Sequence, residues 1–220
     1  MTETRPEETL DDLRIRLAPA IADAAAFDGW SKAAVANAAQ ACGVDPALAA
    51  FAFRDGQMAM ISAWIDHVDL AMAEALPAAT LAAMPIRARI RDLVLARLDA
   101  VAGREEALSR ALAIMAMPSN IAASTRLGWR SADRMWRLAG DTATDYNHYT
   151  KRAILGGIYA ATLRVFATDS SEGKAETRAF LDRRIDGIMR FEKAKAQLLR
   201  GPEHHFSLTR LLGRIRYPAR

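Results

Sequence analysis

At 220 residues and 24.0 kDa, with 51% hydrophobic and 25% charged residues, the chain is long enough to bury a sizeable core, which excludes a mini-protein or a disordered tail. The formal net charge of +4 is split along the sequence: residues 1–86 carry 12 acidic and 5 basic side chains, residues 87–220 carry 14 and 25. An acidic amino-terminal third would approach a phosphate backbone against repulsion, and a single cysteine, Cys42, excludes an intramolecular disulfide and a cysteine-cluster metal site. Charges at Glu3, Arg5, Glu7 and Glu8 occupy the place of a leader's apolar region, so no secretory leader is expected. The longest uncharged run, residues 111–125, is 15 residues long and contains Pro118; a bilayer span needs roughly 20 apolar residues.

Apolar spacing predicts an all-α bundle, with helices over 7–26, 31–41, 45–53, 55–76, 85–102, 104–117, 119–139, 146–168, 174–199 and 205–216. Gly29, Gly43, the Pro77–Pro85 connector, Gly103, Pro118, Gly140, Gly173 and Gly201-Pro202 supply the breaks. Three segments follow: 1–56, 57–200 and 201–220. Ile86, Ile90, Leu93, Val94, Leu98 and Val101 form a core stripe, as do Leu181, Ile185, Ile188 and Met189. Between Ala153 and Ala167 the one charge is Arg164, which predicts a helix buried around most of its circumference, central or at a dimer seam.

Near the amino terminus, Phe27-Asp28-Gly29-Trp30-Ser31, the run from Val35 to Val44, then Phe53 and Met58, resemble the helix-turn-helix module of TetR-type repressors over about 50 residues. Gly29 suits a positive φ, Ser31 a cap, and Gly43-Val44 a sharp turn with an apolar anchor. The helix that would read DNA runs from Asp45 to Phe53 and has no basic, hydroxyl or amide side chain. Phosphate and base contacts need such donors, so the module reads as scaffold and no nucleic-acid partner is expected.

The run from Trp129 to Asp141 (WRSADRMWRLAGD), followed by Asp145-Tyr146-Asn147-His148-Tyr149-Thr150-Lys151-Arg152, is too idiosyncratic for helix filler. With Thr168-Asp169-Ser170-Ser171 and the segment from Phe180 to Ile185, it is similar to the signature of the ubiquinone (coenzyme Q) biosynthesis accessory family, over roughly residues 10–200. That resemblance implies a TetR-like fold without DNA binding, a hydrophobic cavity for an isoprenoid quinone intermediate or a phospholipid, a carboxy-terminal amphipathic helix for the membrane, and a surface patch for the di-iron demethoxyubiquinone hydroxylase.

The residues themselves give a weaker but compatible picture. Trp129 and Trp136 lie on one helix face and could point into one volume or simply pack a core. Seven of nine methionines fall between Met58 and Met135, and a flexible thioether suits an adaptable apolar cavity as well as gap-filling. Met58, Ile61, Trp64, Ile65, Leu98, Met115, Trp129, Met135, Trp136 and Ile158 are the candidate lipid contacts. Asp133 and Arg137, one turn apart, are expected to form a surface pair, and Asp141 to pair with a nearby arginine. Asp141, Asp145, Asn147, His148, Tyr149, Lys151 and Arg152, exposed aromatics ringed by charge, are the candidate partner surface, although Asp145 or Asn147 could serve as plain helix caps. Phe206, Leu208, Arg210, Leu211, Leu212, Arg214 and Ile215 combine an apolar stripe with flanking cations, as a helix lying in an anionic headgroup layer would; docking on the protein's own body is the alternative.

Catalytic machinery is not legible. His67, His148, His204 and His205 make no metal motif, and no nucleophile elbow, P-loop or dinucleotide fingerprint occurs. The expectation is a non-enzymatic protein without a cofactor: a cytoplasmic homodimer peripherally attached to the inner membrane, which takes up an isoprenoid quinone intermediate and presents it to the hydroxylase. A ligand-responsive TetR-type regulator is the alternative, and a small-molecule enzyme using Asp133, Asp141, Asp145 and His148 the more distant one.

Overall fold

The computed structural model describes residues 8–142 and 146–199, with side chains described through Gly187 except those of Tyr146 and Asn147. Among these residues there is no strand; the helices are α1 (Leu10–Asp28), α2 (Lys32–Ala41), α3 (Pro46–Ala52), α4 (Gln57–Ala75), α5 (Ala78–Ala82), α6 (Ile86–Val101), α7 (Glu105–Met115), α8 (Ile121–Leu138), α9 (Tyr146–Thr168) and α10 (Ala175–Leu199). By its contacts the chain forms one unit through Arg183 and a second from Arg184, with the boundary inside α10; the second unit is helical through Leu199.

Local chemistry sets the helix ends. Thr9 and Asp12 form a reciprocal capping box at α1, Ser31 accepts from the Ala34 N–H at α2, and Asp45 accepts from the Ala47 and Leu48 N–H groups at α3. Gly43, at φ +64, makes the tight turn between α2 and α3, where the Val44 N–H returns to the Ala39 carbonyl at 2.9 Å. The helix-turn-helix so formed is bolted to the body by Trp30. Its ring is buried, lies 5.3 Å from that of Trp64 on α4, and its Nε1 donates to the Ala107 carbonyl on α7 at 3.1 Å.

Four expectations need correction or qualification. The Pro77–Pro85 connector contains α5, a short helix whose entry is fixed by Pro77 and whose Leu81 is buried. Ile86 is 45% exposed, since it sits in the first turn of α6 before the core begins, whereas Ile90, Leu93, Val94, Leu98 and Val101 are buried. Within the single chain, helix α9 is not buried around most of its circumference: Leu155, Tyr159, Thr162 and Phe166 face inward, and Ala153, Gly157, Ala160 and Arg164 are exposed on the opposite stripe. Leu181 and Ile185 are buried, while the side chains of Ile188 and Met189 and the whole predicted 205–216 helix lie outside the described residues.

The Asp169 motif is structural. Its carboxylate accepts from the backbone N–H and hydroxyl of Ser171 (2.9 and 2.5 Å) and from those of Thr177 (2.8 and 2.6 Å), tying the end of α9 to the start of α10. These bonds, chiefly from the two hydroxyls, hold the carboxyl far below the usual carboxylate range. Such a group stabilises the fold above its unfolded pKa of about 3.9, and the contribution is lost as pH falls below that value. Asp169→Asn is therefore expected to lower the melting temperature at neutral pH, and the gap to the parent to narrow below about pH 4, as followed by circular dichroism across a pH series.

Candidate functional site

Helices α4, α6, α7, α8 and α9 enclose a cavity of about 600 Å³, within the range of small-molecule pockets. Helix α4 contributes Ile61, Trp64, Ile65 and Val68, and α7 contributes Leu108, Ala111, Leu112 and Met115, an i, i+3, i+4, i+7 stripe. From α8 come Ile121, Gly128 and Trp129 among others, and from α9 Gly156, Gly157, Tyr159 and Leu163. Thr125, Ala153, Gly157 and Ala160 line the cavity yet are exposed, which marks the side on which it opens. Gly156 lets α8 and α9 approach: a Cβ there would meet the Ala132 Cβ at 3.9 Å and the Gly128 carbonyl at 4.0 Å.

Of the residues predicted to contact lipid, Ile61, Trp64, Ile65, Met115 and Trp129 line this cavity; Met58, Leu98, Met135, Trp136 and Ile158 do not. Leu98 and Met135 are spent in core packing. Trp136 shares a helix face with Trp129 but diverges from it, because its Nε1 donates to the Lys151 carbonyl at 3.0 Å and its ring receives the Lys151 ammonium at 5.3 Å. Met60, Met72 and Met135 are buried core residues, and Met115 is the methionine in the wall. The cluster of methionines along the sequence thus reflects gap-filling more than cavity lining.

Sequence reasoning missed a polar group at the buried side of the cavity. Asp69 on α4 and Arg97 on α6 form a wholly buried ion pair, Arg97 Nη2 donates to Ser131 Oγ on α8 at 3.1 Å, and the guanidinium lies 4.8 Å from the centre of the Tyr159 ring. A signal existed: Arg97 stands on the same face as Leu93, Val94 and Val101, and Asp69 between Ile65, Val68 and Met72, charges on stripes that otherwise read as core. Nearby, Asp66 on α4 pairs with Arg130 on α8 at 2.8 Å; burial raises its carboxyl pKa, and Arg130 and Arg134 oppose the shift.

At the α8–α9 end the predicted partner residues separate into two kinds. Arg152 is 2% exposed and donates to Asp133 (2.6 Å), to Asp141 (3.0 Å) and to the His148 carbonyl (3.1 Å); Lys151 reaches Asp141 at 2.7 Å, and Arg137 reaches Asp133 at 2.7 Å. Both expected pairings exist: Asp133–Arg137 lies at the surface, with the Arg137 side chain 72% exposed, whereas the Arg152–Asp141 pair is buried and braces the junction from within. Tyr149, by contrast, is 61% exposed, stacks obliquely on Trp129 at 6.1 Å and meets His148 edge-on at 5.1 Å. Asp145, the side chain of Asn147, and the tail residues Phe206, Leu208, Arg210, Leu211, Leu212, Arg214 and Ile215 lie outside the described residues. Among the described residues no group of histidine, cysteine and carboxylate side chains could hold a metal ion, and no helix is long and apolar enough to cross a membrane.

The family model described as COQ9 matches residues 121–192, which contain the whole idiosyncratic signature. The chain is 32% identical over 193 residues to the mitochondrial ubiquinone biosynthesis protein COQ9 of Rattus norvegicus (85% of this chain, 62% of that one) and 31% identical over 194 residues to that of Homo sapiens (85% and 61%). It is 31% identical over 203 residues to COQ9-B of Xenopus laevis (89% and 69%). The chain thus spans about three-fifths of the length of the mammalian relatives. Among solved structures, a TetR transcriptional regulator from Nitrosomonas europaea superposes with a TM-score of 0.63 at 21% identity, covering 79% of this chain and 96% of that one, which establishes the shared fold.

Removing one member of the Asp69–Arg97 pair leaves an uncompensated buried charge. Asp69→Ala or Arg97→Ala is expected to cost about 3–5 kcal/mol, and the joint replacement Asp69→Leu with Arg97→Met to recover most of that loss in urea unfolding.

Proposed function

The chain belongs to the COQ9 family, and from that membership we propose that it serves in ubiquinone biosynthesis as a lipid-binding accessory protein without catalysis of its own. It takes an isoprenoid quinone intermediate from the membrane into the cavity and presents it to the demethoxyubiquinone hydroxylase. The observation that carries this reading is an apolar cavity of about 600 Å³ two of whose walls, α8 and α9, lie in the segment that the family model matches. Withdrawing a lipid from a bilayer needs no covalent step; it needs apolar contacts that replace those of the acyl chains. The exposed Tyr149, with His148 and Lys151, supports a partner surface beside the cavity, and burial in the underlying ion network removes Asp141 and Arg152 from direct contact. A homodimer held peripherally on the inner membrane by the basic tail completes the proposal, on the strength of the family resemblance and the sequence of residues 206–215.

A DNA-reading role finds no support in the helix-turn-helix. Helix α3 itself carries no donor for phosphate or base edges: it exposes Leu48 (47%) and Phe51 (53%), the Asp45 carboxylate at its start is engaged in the cap, and Arg54, just beyond its end, lies over the Phe51 ring at 4.9 Å.

Lipid extraction and mass spectrometry of the freshly purified full chain are expected to reveal an isoprenoid quinone precursor. Gly157→Leu places a side chain at the open side of the cavity, where a Cβ meets nothing within 4 Å, and gains roughly 0.5–1 kcal/mol of helix propensity. It is expected to lose most of the bound lipid while melting no earlier than the parent; undiminished lipid content in this variant would sink the cavity reading. Tyr149→Ala, an exposed position where stability changes by about 0.5 kcal/mol or less, is expected to weaken hydroxylase capture in a pull-down with lipid content intact. Deleting residues 203–220 is expected to reduce flotation with anionic liposomes, and unchanged flotation would remove the tail from the mechanism.

A further inference from the structure

The outer face of α8 carries charge that neither the cavity nor the core uses. Arg126, Arg130, Arg134 and Arg137 follow one another at intervals of four, four and three residues, so they share an arc of about 80° and run about 16 Å along the helix. The opposite face supplies the buried Ser131, Ala132 and Met135. Arg126, Arg130 and Arg137 are exposed, and Arg134 is half-buried. Two carboxylates answer these four guanidinium groups: Asp66 pairs with Arg130 at 2.8 Å, and Asp133, already shared with Arg152, pairs with Arg137 at 2.7 Å. Arg126 and Arg134 form no ion pair among the described residues, and the sequence has no acidic residue between Glu106 and Asp133. At the head of the row, Met117 (47%) and Ile121 (51%) are large apolar side chains open to solvent. Ile121 and Thr125, the neighbour of Arg126, line the cavity, so the row begins at its mouth.

Resting on the reading that the cavity fills from a membrane, we propose that this face of α8 is a second membrane contact, separate from the tail. Arg126, Arg130, Arg134 and Arg137 meet the phosphates of an anionic bilayer, Met117 and Ile121 sit among its upper acyl carbons, and the mouth is held against the lipid. The surface that supplies the lipid lies against the mouth and therefore against Arg126. Arginine binds phosphate through two parallel N–H donors, and a row spaced by helical turns meets a sheet of headgroups without needing a shaped partner. A protein partner is gripped through buried aromatic anchors, and the row itself contains none. The same field repels the acidic amino-terminal third, so charge alone turns α8 towards the bilayer. The tail then tethers the protein, and α8 fixes its orientation.

The test measures sedimentation of the full chain with vesicles of phosphatidylcholine, with and without phosphatidylglycerol, over a salt series. Arg126→Gln with Arg134→Gln removes the two cations that make no ion pair among the described residues, so the fold is expected to stand. Binding to the anionic vesicles is expected to weaken about thirtyfold, roughly fivefold per arginine, and to depend less steeply on salt. Lys32→Gln with Arg54→Gln takes the same charge from two exposed positions of the amino-terminal module and is expected to change binding by no more than about twofold. Unchanged binding of the α8 variant, or an equal loss in both variants, overturns the assignment. So does a loss of hydroxylase capture with vesicle binding intact, which would make the row a site for an acidic protein face. If deleting residues 203–220 abolishes vesicle binding and the α8 variant retains it, the tail is the sole contact: this inference falls and the proposed function stands. Failure of the parent chain to bind anionic vesicles at all removes both.

Discussion

Asp69 and Arg97 face each other in a wholly buried pair, and the geometry of the cavity beside them depends on that pair. A charge in a low-dielectric interior is tolerated only when it is compensated, so α4 and α6 are held in one register. Arg97 extends the constraint to α8 through Ser131 and to α9 through the Tyr159 ring, and four helices are thereby fixed around one buried point. An all-apolar contact would resist separation but would tolerate sliding; an ion pair with directional hydrogen bonds does not. Because the cluster sits at one end of an otherwise apolar wall, the feature that fixes the helices also polarises the cavity.

A second network acts where α8 turns into α9. Gly140, at φ +88, ends α8 and leaves room for Arg89, whose guanidinium caps the Ala139 carbonyl at 2.8 Å. Beyond it Arg152 gathers Asp133 and Asp141, so the exposed Tyr149 is mounted on a braced junction rather than on a loose loop. The most distinctive residues of the family signature therefore divide between bracing and display. Asp133, Asp141 and Arg152 brace; Tyr149 is displayed.

The helix-turn-helix is held by packing rather than by anything displayed on α3. Its caps and its turn are intact, and Trp30 locks it to α4 and α7, so it contributes to the core whatever it meets outside. Selection for packing needs Trp30, Val35 and Ala38 buried; it does not need donors on α3, and there are none. The likeness to a TetR regulator is a likeness of fold.

The helical class, nine of the ten helices among the described residues, the lack of donor side chains on α3 and the family were legible in the sequence, because periodicity, caps and an unusual run such as WRSADRMWRLAGD are local properties. Five of the ten candidate lipid contacts, Ile61, Trp64, Ile65, Met115 and Trp129, were legible as large apolar residues in the right helices. Which apolar residues face a void and which face each other was decided by the tertiary structure alone, since Met115 and Met135 have the same chemistry and differ only in what the crossing of α7, α8 and α9 leaves beside them. The same holds for charge. Asp69 with Arg97, and Arg152 with Asp133, lie 28 and 19 residues apart, and no local rule pairs groups at such distances; only the packed helices bring them within bonding reach and shut out the water that would otherwise screen them.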